Sequence, residues 1–235
     1  RARPAIRKRV AADMAKPDLG RDKVLATVVH LLETTMIRIG NRDYAAANRS
    51  YGLTTLCNRH ISLEGQEMRF HFKGKSGRDW RISVRDRRVT RIVRALQELP
   101  GQLLFQYTDE VGQLQAVTSA DVNAYLREIS GAEVTAKDFR TWAGTVLAAI
   151  AFAARASDGE GSSKRGAAAV IAEVAAALGN TPTICRKCYV HPHLVEAYLN
   201  GGLDLQIDPE PADARGLDPQ ESAVLAFLEQ RANAA

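Results

Sequence analysis

The spacing of apolar residues changes once along this chain and then changes back, and this limits its possible folds more than any other feature. From His60 to Val84 apolar and polar residues alternate: Ile61 and Leu63, then Met68, Phe70 and Phe72, then Trp80, Ile82 and Val84. A period of two in three short runs predicts three antiparallel strands. Gly65-Gln66 supplies the first turn and Gly74-Lys75-Ser76-Gly77 the second, so Lys75 projects from a hairpin tip. Outside this stretch the period is helical. Residues 21–39 carry Val24, Leu25, Val28, Leu31, Leu32, Thr35, Met36 and Ile39 on one face, which puts Arg38 in the last turn before Gly40. Further helices are predicted over 86–98, 120–129 and 136–155, the last capped by Thr135 with Asp138 against its N-terminus. Another runs over about 165–178 and stops at Gly179; Thr181-Pro182 opens a short helix that carries Tyr189. The helical pattern resumes over 194–199 after Pro192, and a last helix spans about 218–232. The expected fold class is mainly α with a small three-stranded antiparallel β-sheet.

At 235 residues the chain makes one large domain or two small ones. It contains no run of 18 apolar residues of the kind that spans a membrane, and Arg1–Arg9 lacks the apolar stretch of a signal peptide. The absence of an initiator Met leads us to expect a fragment of a longer chain. Three cysteines are too few and too odd in number for a disulfide framework, which points to a reducing, cytoplasmic compartment. Charge is divided unevenly. From Leu203 onward there are 7 acidic and 2 basic residues, whereas residues 1–202 hold 30 Lys+Arg against 20 Asp+Glu, a net +10. A basic body with an acidic tail implies a polyanionic partner, nucleic acid first.

Cys185-x-x-Cys188, followed by His191 and His193, invites a zinc or dithiol reading. Structural zinc wants a second ligand pair at a distance and a redox dithiol wants a βαβ setting; neither is present, so the cysteines read as small apolar residues filling a helix face. No phosphate-cradling glycine loop or nucleophile elbow occurs, which removes nucleotide-driven and hydrolase chemistry. Arg38, Lys75, Arg140 and Tyr189 remain, each at an element end in a basic body.

The sequences around these four carry a resemblance. Arg38-Ile-Gly-Asn-Arg-Asp-Tyr-Ala-Ala-Ala-Asn-Arg-Ser-Tyr-Gly-Leu-Thr-Thr-Leu56, the Gly74-Lys75 hairpin, Lys137-Asp-Phe-Arg-Thr-Trp142 and Leu178-Gly-Asn-Thr-Pro-Thr-Ile-Cys-Arg-Lys-Cys-Tyr189 together resemble type IB DNA topoisomerases of the poxviral and bacterial group. The resemblance covers about residues 1–202. It implies a catalytic domain there, with 1–20 as the connection from an N-terminal clamp domain. By composition 156–166, which contains Gly159-Glu-Gly-Ser-Ser163, reads as a flexible linker within that domain, and 203–235 reads as an acidic tail with a terminal helix that has no counterpart in the resemblance.

By this resemblance Tyr189 is the nucleophile, forming a 3′-phosphotyrosyl bond with duplex DNA and freeing a 5′-hydroxyl, with no ATP, metal or other cofactor. Arg38 and Arg140 hold the non-bridging oxygens, and Lys75 protonates the leaving oxygen. Asn180 stands nine residues before Tyr189, where poxviral members carry His; an amide can donate a hydrogen bond but cannot become a cation. Tyr44, Asn48, Ser50 and Lys137 match positions that contact DNA. A monomer acting on the bacterial nucleoid is the implied setting. A tyrosine recombinase would share this chemistry but normally shows His-x-x-Arg where this chain has Lys137-Asp-Phe-Arg140. A non-catalytic DNA-binding module is the competing reading from another class.

Overall fold

In the computed structural model, which describes residues 2–157, 162–207 and 216–233, the period-two stretch forms the three strands it predicts. The chain divides into two compact units, Ala2–Phe139 and Arg140–Ala235. The division falls inside one helix.

In the first unit, β1 (Ile61–Glu64), β2 (Glu67–Lys73) and β3 (Asp79–Arg85) form an antiparallel meander. Phe70 faces Ile61 and Ile82 across the ladders, and Phe72 faces Trp80. Met68, Phe70, Phe72 and Trp80 enter a core shared with α1 (Arg3–Met14), α2 (Arg21–Thr35), α4 (Arg87–Gln97) and α5 (Ser119–Ser130). On α4, Val89, Ile92, Val93 and Leu96 form the buried stripe, while Arg87, Arg91 and Arg94 lie on the exposed side. A short α3 (Arg42–Asn48) and a two-stranded ribbon, β4 (Gln106–Thr108) with β5 (Leu114–Ala116), complete this unit together with the first residues of α6 (Ala136–Ser157).

α3, β4 and β5 are not expected from the sequence, and two further elements differ from the expectation. The helix expected over 21–39 stops at Thr35, so Arg38 is not in a helical turn. The hydroxyls of Thr34 and Thr35 donate back to the His30 and Leu31 carbonyls at 2.9 and 2.5 Å, and Thr35 Oγ1 accepts from the Ile37 amide at 3.3 Å. Those bonds compete with helix continuation. Met36 then turns the chain with φ +56°, and Ile37, 1% exposed, drives it into the core. At the N-terminus, residues expected as a connection form α1. Ile6, Val10 and Met14 make its narrow buried stripe, and its arginines are held internally: Arg3 and Arg7 pair with Glu33, and Arg9 with Asp13 at 2.8 Å.

The second unit holds the rest of α6, α7 (Lys164–Leu178), α8 (Pro182–Cys188), α9 (Pro192–Leu199) and α10 (Pro219–Asn233). The centre of the expected linker, residues 158–161, lies outside the described residues, as do residues 208–215 of the acidic tail. Phe152 of α6 stacks on Tyr198 of α9 with ring centres 4.7 Å apart. Among the described residues no single helix is long and apolar enough to cross a membrane.

Candidate active site

The candidate residues fall into two groups, one in each unit. In Ala2–Phe139, Arg38 sits half-buried on the extended segment that follows α2. Its carbonyl accepts the Leu53 amide at 2.9 Å, and the Ile39 carbonyl accepts the Thr54 amide at 2.8 Å and the Thr54 hydroxyl at 3.0 Å. The two segments approach so closely that a Cβ on Gly52 would lie 2.5 Å from both the Arg38 oxygen and the Gly40 nitrogen. Gly40 itself has φ +97°. The two glycines therefore allow a backbone clamp that fixes where the Arg38 side chain leaves the chain.

Beyond this clamp, the Asn41 side chain caps α3 by accepting the Tyr44 amide at 2.8 Å. Tyr44 and Asn48 are exposed on that helix, whereas Ser50 is buried and its hydroxyl donates to the Asn48 carbonyl at 3.3 Å. Of these three expected DNA contacts, two face solvent and the third holds its own loop.

Lys75 is exposed at the β2–β3 tip, as expected. The tip is closed by the Gly74 amide donating to the Arg78 carbonyl at 2.7 Å and by the Gly77 amide donating to the Gly74 carbonyl at 3.0 Å. Trp80 stacks on Phe72 with planes 3° apart, the Arg78 guanidinium lies 5.6 Å from the Trp80 ring centre, and a Cβ on Gly74 would meet Trp80 Nε1 at 2.5 Å. The exposed lysine thus rises from an aromatic, close-packed base. Lys137 is exposed in the first turn of α6, where Asp138 accepts the Thr135 amide and hydroxyl at 2.8 and 2.7 Å.

In the second unit, Arg140 is only 3% exposed, unusual for an arginine. Its Nη2 donates to the Leu178 carbonyl at 2.5 Å, and its guanidinium carbon lies 5.5 Å from the centre of the Tyr189 ring. Leu178 is the last residue of α7, so the guanidinium meets the negative end of that helix. Gly179, with φ +64°, ends α7, and α8 leaves at 92° to it. Thr181 caps α8 by accepting the Ile184 amide at 3.4 Å, and Pro182 occupies its first turn. Asn180 is half-buried in this corner, its backbone N–H donating to the Ala175 carbonyl at 2.8 Å.

Tyr189 closes α8, half-buried, with its carbonyl accepting the Thr145 hydroxyl at 3.2 Å. A Cβ on Gly144 would lie 2.7 Å from that same carbonyl oxygen. One helix therefore presents Arg140 to the Tyr189 ring, and Gly144 and Thr145 to its main chain. Cys185 is fully buried on α8, and burial pushes its thiol up, opposed by Arg140. Burial holds the His191 imidazole below its ordinary value, with His193 acting in the same direction. Among the described residues no three His, Cys, Asp or Glu side chains group as metal ligands.

Sequence reasoning missed the roles of Gly52, Gly144, Thr145 and the Leu178 carbonyl, and it read Gly74 as a turn residue without its close approach to Trp80. The glycines are visible as residues, but the partners of Gly52 and Gly144 lie 12 or more positions away and that of Gly74 six away, while the Thr145 and Leu178 contacts span 44 and 38 positions. No local pattern reports such contacts.

A family model described as the eukaryotic DNA topoisomerase I catalytic core matches residues 2–202. DNA topoisomerase 1B of Acanthamoeba polyphaga mimivirus is 29% identical over 205 residues, which is 84% of this chain and 61% of that protein. The chain thus spans about three-fifths of the length of this curated relative.

Proposed function

Because the chain belongs to the family of the eukaryotic DNA topoisomerase I catalytic core, we propose that it relaxes supercoiled duplex DNA as a type IB topoisomerase. The observation that carries this reading is the buried Arg140 guanidinium held against the Tyr189 ring, both residues lying in the second unit. The Tyr189 oxygen attacks a backbone phosphorus, the bond from phosphorus to the 5′-oxygen breaks, and a 3′-phosphotyrosyl ester forms. Bond energy is conserved, so the liberated 5′-hydroxyl can re-attack and expel Tyr189. Between the two steps the downstream duplex swivels about the intact strand. Neither ATP nor a metal ion enters this scheme.

Each remaining residue answers a physical need of that step. A phenol has a reference pKa of about 10 and is a weak nucleophile near neutrality. Negative charge builds on the non-bridging oxygens, and two planar guanidiniums, Arg38 and Arg140, are the side chains best matched to them. The 5′-alkoxide is a poor leaving group, and Lys75 on its exposed tip delivers the proton it requires. Asn180 contributes a neutral hydrogen bond. Tyr44, Asn48 and Lys137 track the backbone, while Ser50 acts through the loop that presents Asn48. On this reading the enzyme works as a monomer on the bacterial nucleoid.

Two competing readings make different predictions. A tyrosine recombinase exchanges strands between two duplexes, and a pure binding module forms no covalent adduct. The test is a duplex labelled on either side of the cleaved bond, denatured during reaction. The proposed function requires protein joined to the 3′ end of the cleaved strand, a free 5′-hydroxyl, and no exchange when a second duplex is supplied. Protein on the 5′ end, or strand exchange, overturns it.

A further inference from the structure

The segment beyond residue 202 lies outside the family match, yet its helix is joined to the helix that carries Arg140. Glu221 in the first turn of α10 is 4% exposed, and its Oε1 accepts the Trp142 indole N–H at 2.9 Å. Its Oε2 accepts the Asp218 amide at 3.3 Å, while the Asp218 side chain accepts the Glu221 amide at 2.8 Å. Asp218 and Glu221 thus form a reciprocal cap with Pro219 at the first helical position, which fixes the Glu221 carboxyl before it meets the indole. Val224 and Phe227 bury the same face of α10, and Arg231 near its far end donates to the Gly202 carbonyl at 3.2 Å.

Trp142 follows Arg140 by two positions and so points about 200° away round α6. Arg140 and Gly144, four positions apart, share the side that meets Tyr189. α6 is consequently held on one side by the Tyr189 segment and on the other by α10. We infer that Glu221 is a positioning residue: through Trp142 it sets the rotation of α6, and with it the placement of the Arg140 guanidinium relative to Tyr189. The acidic tail therefore ends in a brace for the active site. This inference rests on the proposed cleavage reaction, since its effect is read in that step.

The test uses the full chain and a duplex whose cleaved fragment dissociates, so that adduct formation is a single turnover. Glu221→Ala and Trp142→Phe should lower the cleavage rate at saturating DNA about tenfold, because small misplacements of a transition-state donor are amplified in rate. DNA affinity and the folded fraction, read by near-ultraviolet circular dichroism, should stay within about twofold, a split that generalised loosening would not give. Glu221→Gln keeps an oxygen for the indole proton and should cleave within about threefold of wild type. The double variant should be no slower than Glu221→Ala. If Glu221→Ala destabilises the fold, Trp142→Phe alone carries the test, since it removes the donor and keeps most of the packing. Unchanged rates in both single variants, rates that fall only in proportion to the folded fraction, or a Glu221→Gln as slow as Glu221→Ala would overturn the inference. Absence of adduct in the wild type would instead defeat the topoisomerase reading, and the inference with it.

Discussion

The Arg140 guanidinium carbon lies 5.5 Å from the centre of the Tyr189 ring while Nη2 of the same group donates to the Leu178 carbonyl at 2.5 Å. One edge of the fork is thereby committed to the end of α7, and the planar cation is held against the residue proposed to attack phosphate. Fixed donors of this kind need no reorganisation as charge develops.

Arg140→Lys should show how much depends on that shape. An ammonium keeps the charge but cannot bond the Leu178 carbonyl and present a second parallel donor in one plane. The single-turnover cleavage rate is expected to fall about 10²- to 10³-fold, with DNA affinity changed far less. Equal losses in affinity and rate would place Arg140 in binding alone.

Gly52→Ala and Gly144→Ala test the two close approaches that fix the candidate residues. Their added methyls would meet backbone atoms, at 2.5 Å from the Arg38 oxygen and 2.7 Å from the Tyr189 oxygen, so no side-chain rotation relieves the clash. Each should destabilise its unit by about 1–3 kcal/mol in denaturant titration. Each should also slow cleavage, Gly52→Ala through Arg38 and Gly144→Ala through Tyr189.

Lys75→Gln should slow cleavage about 100-fold or more if the lysine supplies the leaving-group proton. Replacing the bridging 5′-oxygen by sulfur makes a leaving group that departs as a thiolate, with a pKa near 8.5 for the conjugate thiol. On that substrate the variant should match wild type. A defect that persists would mean that Lys75 acts on the phosphate and not on the leaving group.

Much of this arrangement was legible in the sequence, and what was hidden has identifiable causes. Alternation from Ile61 to Val84 marked the meander because one face of the sheet is buried and the other is not. The helix over Ala136–Ser157 was marked by its cap at Thr135 and Asp138. The end of α2 was misplaced because Met36 and Ile39 continue the apolar spacing, while the signal that stops the helix is a pair of threonine hydroxyls turned back on the main chain. α1 was hidden by its arginines, two of which, Arg3 and Arg7, have their acidic partner Glu33 on another helix. The motif residues could be located from their resemblance, but Arg140's burial and the braces formed by Gly52, Gly144 and Glu221 depend on contacts distant in sequence.

Acid should unfold the first unit in a defined order. Burial alone would raise the Asp13 carboxyl, but bonds from Lys16, from the buried Tyr125 hydroxyl at 2.8 Å and from Arg9 outweigh it and hold Asp13 below the ordinary 3.8. Glu33 is likewise opposed by burial and held below 4.5 by Arg3 and Arg7. Carboxyls depressed in the folded state give stability that is complete above their unfolded values and lost as pH falls through the folded ones. His30 is depressed chiefly by burial, against Asp86, so its contribution is complete above 6.5 and declines as pH drops below that value. The melting temperature should decline gently below pH 6.5 and steeply below about pH 4, and Asp13→Asn should flatten the steep limb while lowering the neutral-pH plateau. A melting temperature that rises on acidification would contradict this assignment.

The most direct measurement is incubation of the protein with negatively supercoiled plasmid in EDTA without ATP, wild type beside Tyr189→Phe, with half of each reaction quenched in denaturant. The account predicts relaxed topoisomers and protein-linked nicked DNA from the wild type, and neither from Tyr189→Phe. Relaxation that survives Tyr189→Phe, or a wild type that binds plasmid without relaxing or joining it, would contradict the claim that Tyr189 is the nucleophile of a type IB reaction.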